Sequence, residues 1–163
     1  MQIISYHMSI QLYESAADRE REHRVAQLIA MRWNCTPIKS GLLAMHDYAL
    51  CRHDHKSNRL LAHAYLEIKC RSLHRPNYWL SKDKWDYLLE LADTTSCPAF
   101  LAVHCATSDQ VSFIQVQAPY PELITAGRSD RPDDPKAIEP MVILPAHRFR
   151  PLGKLRSSFD GQA

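Results

Sequence analysis

Glu67 and Lys69 stand two residues apart in the stretch Ala64-Tyr65-Leu66-Glu67-Ile68-Lys69-Cys70. Side chains alternate along a strand, so the carboxylate and the ammonium project from one face and Leu66, Ile68 and Cys70 from the other. A second acid, Asp47, interrupts the apolar run Met45-His46-Asp47-Tyr48-Ala49-Leu50. If the two stretches pair as a hairpin, Asp47 comes near Glu67. Two carboxylates of this kind bind a hard cation such as Mg²⁺ through oxygen. The cation polarises a phosphoryl group and acidifies bound water, and a neighbouring lysine offsets charge that develops in the transition state. The chemistry within reach is therefore phosphodiester hydrolysis. Acid-x-Lys alone also fits an ordinary ion pair on a strand, so the elements around it decide its weight.

Ser15 to Trp33 is helical in pattern, with Val25, Ala26, Ile29 and Trp33 on one face. Asn34 and Thr36-Pro37 stop that helix. Leu42 to Arg52 reads as a strand, residues 55–59 as a turn and Leu60 to Cys70 as a second strand, which together make a hairpin. Residues 71–80 read as a loop. Ser81 is placed to cap a second helix that carries Trp85, Leu88, Leu89 and Ala92 at helical spacing, with Asp83 in its first turn. Ala99 to Cys105 is nearly all apolar, as in a strand buried on both faces, and Val111 to Gln117 forms a further strand. Residues 119–140 read as a long surface loop, Met141 to Leu144 as a last short strand and 151–163 as a loose tail. The first ten residues fit a short strand or an arm. This order predicts an α/β sandwich, a mixed sheet flanked by helices, in one domain over residues 1–163.

In this context the chain resembles the PD-(D/E)XK nuclease superfamily, of resolvase-like or phage nuclease type. The resemblance spans about residues 14–117 and rests on three stretches: His46-Asp47-Tyr48, Tyr65-Leu66-Glu67-Ile68-Lys69-Cys70-Arg71, and Tyr78-Trp79-Leu80-Ser81-Lys82-Asp83-Lys84-Trp85. It implies a restriction-endonuclease-like fold with core order α-β-β-β-α-β. It also implies that Asp47, Glu67 and the carbonyl of Ile68 ligate Mg²⁺ (with Mn²⁺ able to substitute), that Lys69 is the catalytic lysine and that Lys84 lies near the scissile phosphate. The family's proline before the aspartate is His46 here. Many members add a glutamate from the first helix. Glu14, Glu20 and Glu22 are the candidates, and Glu22 is preferred because it shares the face of Val25, Ala26 and Ile29.

The expected activity is that of a DNA phosphodiesterase. A nucleic-acid-binding or protein-interaction module that keeps the fold without turnover is the alternative, and an RNA-directed nuclease also fits. Net charge is only +2, but residues 52–84 hold eight Lys/Arg against three acids, a local excess suited to a polyanion. Arg71 and Arg75 lie within it as expected nucleic-acid contacts. Trp33 and Trp85 fall on apolar helix faces, which leaves Trp79 as the tryptophan available to a base. Arg148, Arg150, Lys154 and Arg156 fit either a phosphate track or a solvated tail. The group Cys51, His53, His55 and His63 lacks the usual zinc spacings, and a polar turn accounts for it. Five cysteines without a C-x-x-C pair fit reduced thiols. No organic cofactor, secretory leader or membrane span is expected, so the expected location is the cytoplasm (a host's, for a phage protein). Homodimerisation is left open.

Overall fold

In the computed structural model of the protein, residues 15–41, 43–127 and 138–156 are described. Residues 1–14, Leu42, residues 128–137 and residues 157–163 lie outside that set, as do the expectations that concern them, among them those for the first ten residues and for Glu14. Helix α1 (Ala16–Arg32) starts at a capping box, in which the Ser15 side chain accepts from the Asp18 N–H and Asp18 accepts from the Ser15 N–H. Each bond satisfies a backbone donor that the first helical turn leaves over. Val25, Ala26, Leu28 and Ile29 are fully buried on its inner face.

Strands β1 (Thr36–Lys39), β2 (Tyr48–Asp54) and β3 (Arg59–Arg71) form an antiparallel meander. A short strand β4 (Asn77–Ser81) leads into helix α2 (Lys82–Thr95), and β5 (Ala99–Cys105) returns parallel to β3. Strand β6 (Gln110–Gln115) follows antiparallel, and the chain then builds β7 (Leu123–Gly127), β8 (Ile138–Pro145) and β9 (Arg150–Lys154). A six-stranded mixed sheet has the order β1-β2-β3-β5-β6-β9, and a three-stranded antiparallel sheet has the order β4-β8-β7. The expected helix, meander, helix and strand are all present.

The large sheet separates two cores, and β3 serves both. Leu66 and Ile68 pack with α1 and with Leu50 and Ala102 in one core. The other core joins Trp85 and Leu88 of α2 to Leu80, Leu101, Val142 and Leu144. The alternation read from the sequence therefore holds: one face of β3 is apolar against α1, while Glu67 and Lys69 look toward α2.

Several boundaries differ from the expected ones. The strand expected over 42–52 begins only at Tyr48, so Asp47 sits at its mouth rather than in its middle. Thr36-Pro37 does not simply end the first helix but opens β1, because an edge strand tolerates proline where the missing N–H faces away from its neighbour. The loop expected over 71–80 contains β4. The loop expected over 119–140 holds β7 and the start of β8, and the expected loose tail supplies β9. These elements resist sequence reading because their partners are remote: β4 pairs with β8, and β9 with β6. Pro140 fits within β8 because β4 covers that strand only from Met141 to Pro145, which leaves one side open at Pro140. Ser81 occupies the capping position of α2 but makes no side-chain capping bond. No described helix is long and apolar enough to cross a membrane.

Candidate active site

Asp47, Glu67 and Lys69 converge where the meander opens. The backbone N–H of Asp47 donates to the Leu66 carbonyl at 2.8 Å, and its carbonyl accepts from the Ser40 N–H at 2.9 Å. Its carboxylate reaches across to β3, where Oδ2 accepts from the Ile68 N–H at 2.7 Å. In a strand a residue's N–H and C=O face the same side, so the Ile68 carbonyl also faces Asp47's side of β3.

Glu67 is 1% exposed. Its Oε1 accepts from Lys69 Nζ at 2.7 Å and from Lys84 Nζ at 2.7 Å. Its Oε2 is buried with no hydrogen-bond partner. Burial opposes ionisation of Glu67, but the two ammonium groups outweigh it and hold its pKa below the ordinary carboxylate value. For Lys69, burial again works against the charge, but the attraction of Glu67 prevails and its pKa is raised. Asp47 moves the other way: burial, followed by repulsion from Glu67 and Glu22, pushes its pKa up to about 7.

Glu22 is buried on α1 and forms an ion pair with Lys39 of β1. Lys39 Nζ also lies 4.0 Å from Asp47 Oδ1 and 4.6 Å from the centre of the Tyr48 ring. The preferred glutamate thus borders the site, whereas Glu20 is exposed. Lys39 escaped sequence reading because its strand hides behind Pro37; once β1 is known, its position opposite Tyr48 identifies it. His46, at the family's proline position, has its ring 5.0 Å from that of Tyr65, and its Nδ1 lies 3.0 Å from the Tyr87 hydroxyl. Burial and then Lys84 lower its pKa, with Glu67 opposing. The ring thus lies between Tyr65 of β3 and Tyr87 of α2.

Among the described residues no group of three or more His, Cys, Asp or Glu could hold an ion by itself. At the 53–58 turn His53 meets His55 and Asn58. An ion at Asp47 and Glu67 would need no such group, since Mg²⁺ commonly takes one or two carboxylates and completes its shell with water and phosphate. The donors fit such an ion. They are hard oxygens, one carboxylate oxygen is buried without a partner, and the mutual repulsion of Asp47, Glu67 and Glu22 is what a divalent cation would relieve.

Arg71 follows Lys69 on the same face of β3 and donates from Nη1 to the Cys70 carbonyl at 3.1 Å. With the exposed Arg75 it borders a cavity of about 350 Å³ that also includes Asn77 and Trp79. A larger cavity, about 550 Å³, lies beside Gln115, Tyr120, Arg148 and Arg150 and takes in none of the carboxylates.

No curated protein matches the chain closely enough to count as a relative. The family described as "Phage putative PDDEXK endonuclease" matches residues 8–152. The acid pair, its lysine and the helix–meander–helix–strand order lie within that match, and the chain belongs to this PDDEXK endonuclease family, with its restriction-endonuclease-like α/β fold.

Proposed function

We propose that the protein is a metal-dependent nuclease that hydrolyses phosphodiester bonds in DNA. The observation that carries this reading is the buried Glu67 carboxylate, with Lys69 and Lys84 on one oxygen, the other oxygen unpartnered, and Asp47 across the strand pair. Asp47, Glu67 and the Ile68 carbonyl would hold Mg²⁺, or Mn²⁺ in its place. Bound there, the ion supplies Lewis-acid stabilisation of the phosphoryl oxygens and a more acidic water. Lys69, with its raised pKa, stays an ammonium at neutral pH. Its part is therefore to donate to the attacking water or to the phosphate oxygens, not to remove a proton. Lys84 adds a second cation from the first turn of α2, where a helix N-terminus already favours phosphate. Glu22, held by Lys39, deepens the negative field at Asp47 and thereby the attraction for a cation. Arg71 and Arg75 extend positive charge away from the site along the path of a polyanion.

A binding module without turnover is the second reading. It draws on the same two lysines, which neutralise Glu67 without any ion. One experiment separates the two: linear, single-stranded and branched DNA incubated with the protein in Mg²⁺, Mn²⁺ or EDTA, with Asp47→Ala as control. Cleavage that needs the metal and is lost in Asp47→Ala supports the nuclease. Cleavage in EDTA, or by Asp47→Ala at the parent rate, overturns the mechanism. Binding without cleavage of any substrate supports the module.

A further inference from the structure

From the half-exposed indole of Trp79 and its two arginine neighbours, we infer that the substrate carries an unpaired nucleotide near the scissile phosphate, stacked on Trp79. The inference rests on the nuclease reading above. Strand β4 alternates, with Tyr78 and Leu80 buried and Asn77 and Trp79 turned outward. Trp79 is 45% exposed, whereas Trp85 is 1% exposed and Trp33 packs against Phe100 and Phe113. A single exposed aromatic is ordinary on a protein surface, so the weight of the inference falls on what surrounds Trp79.

The surroundings indicate which partner. Arg71, Arg75, Pro76 and Asn77 line the same cavity, about 350 Å³, which is enough for a small organic group such as a nucleobase. Two guanidinium groups beside an aromatic face suit a phosphate-linked base and repel a cationic peptide. Asn77 adds amide donors and acceptors for a base edge.

The cavity is joined to the candidate site along two routes. Glu67, Lys69 and Arg71 share one face of β3, and at the rise of a strand Arg71 lies about 13 Å from Glu67. That span is no more than about four stacked nucleotides. On the other side β4 runs directly into α2, whose Lys84 touches Glu67. One strand of nucleic acid can therefore lie over the carboxylates and reach Trp79 in the same passage. A base inside a duplex has both faces covered, so only an unpaired or flipped base can stack there. The enzyme would thus prefer flaps, splayed ends, junction arms or single strands over fully paired DNA.

The test pairs Trp79→Ala with Trp79→Phe, which keeps a ring. In EDTA, where no cleavage occurs, fluorescence anisotropy reads binding of a labelled single strand and of a blunt duplex. Trp79→Ala should weaken single-strand binding about tenfold, the order expected for one lost stacking contact, leave duplex binding unchanged and be largely rescued by Trp79→Phe. With Mg²⁺, Trp79→Ala should lose the preference for a flap over a blunt duplex. Equal loss on both DNAs, no loss on either, or no rescue by Trp79→Phe overturns the inference. An unaltered flap preference does so as well and leaves the nuclease reading standing. If the parent protein cuts nothing, the nuclease reading fails, and the anisotropy comparison still decides whether Trp79 stacks a base.

Discussion

Replacing the two acids of the site one at a time should move the stability of the metal-free protein in opposite directions. Asp47 ionises near 3.8 in the unfolded chain and near 7 in the folded one. Below the lower value it is protonated in both states and contributes nothing. Above the upper value it is charged in both states, and the folded protein carries the full cost of a buried anion among other anions. A raised carboxylate pKa therefore removes stability progressively as pH climbs from about 4 to about 7. Three units correspond to about 4 kcal/mol. The side chain is 23% exposed, so solvent screens part of that, and the loss of attraction to the half-exposed Lys39 offsets up to about 1 kcal/mol more. Roughly 2 kcal/mol remains.

Asp47→Asn keeps an oxygen for the Ile68 N–H and removes the charge. In EDTA at pH 8 it should raise Tm by roughly 4–8 °C, at about 2–4 °C per kcal/mol for a chain of this size. Near pH 4 the gain should vanish. Glu67→Gln should do the reverse at pH 8, because Glu67 is held ionised by Lys69 and Lys84. Removing its charge leaves two partly buried ammonium groups without their carboxylate, at a cost of roughly 1–3 kcal/mol once their partial exposure is allowed for. Thermal unfolding followed by circular dichroism at pH 4.5, 6 and 8 reads all of this. The reasoning is refuted if Asp47→Asn destabilises at pH 8, if its gain does not change with pH, or if both variants shift Tm the same way.

Three further outcomes follow from the same geometry. Mg²⁺ should raise the Tm of the parent protein but not of Asp47→Asn, and calorimetry should find binding tighter at pH 8 than at pH 6, because Asp47 must lose its proton to ligate; proton uptake on binding would contradict this. Lys69→Met should lower cleavage by about 10²–10³-fold, as for loss of one transition-state donor, while the Mg²⁺-induced Tm shift survives; an undiminished rate would remove Lys69 from the mechanism. Leu66→Ala, at a fully buried position between α1 and the sheet, should cost about 2–5 kcal/mol in urea unfolding; a loss under 1 kcal/mol would mean that β3 does not anchor the site through that face.

The legible and illegible parts of this molecule divide by the range of the interactions that make them. Glu67 and Lys69 were legible because strand alternation is local: Leu66 and Ile68 must face a core, which turns the acid and the lysine to the other side. α1 and α2 were legible from their apolar faces, and Asp47 from being an acid in an apolar stretch. β1, β4, β7 and β9 were not, since each depends on a partner or an edge position that no short window contains, and Pro37, Pro140 and Pro151 read as breakers until the open side of each strand is known. The same division runs through the site. The groups proposed to hold the ion come from one hairpin. The groups that set their charge come from elsewhere: Glu22 from α1, Lys39 from β1 and Lys84 from α2. Glu22 and Lys84 could be named in advance as neighbours, but their effect could not be, because both cations near Glu67 attach to a single oxygen while Asp47 is left facing two other acids. That asymmetry, invisible in the spacing of the motif, lowers the pKa of Glu67 and raises that of Asp47, so under the proposed reading a cation would meet one ready ligand and one that releases a proton as it binds.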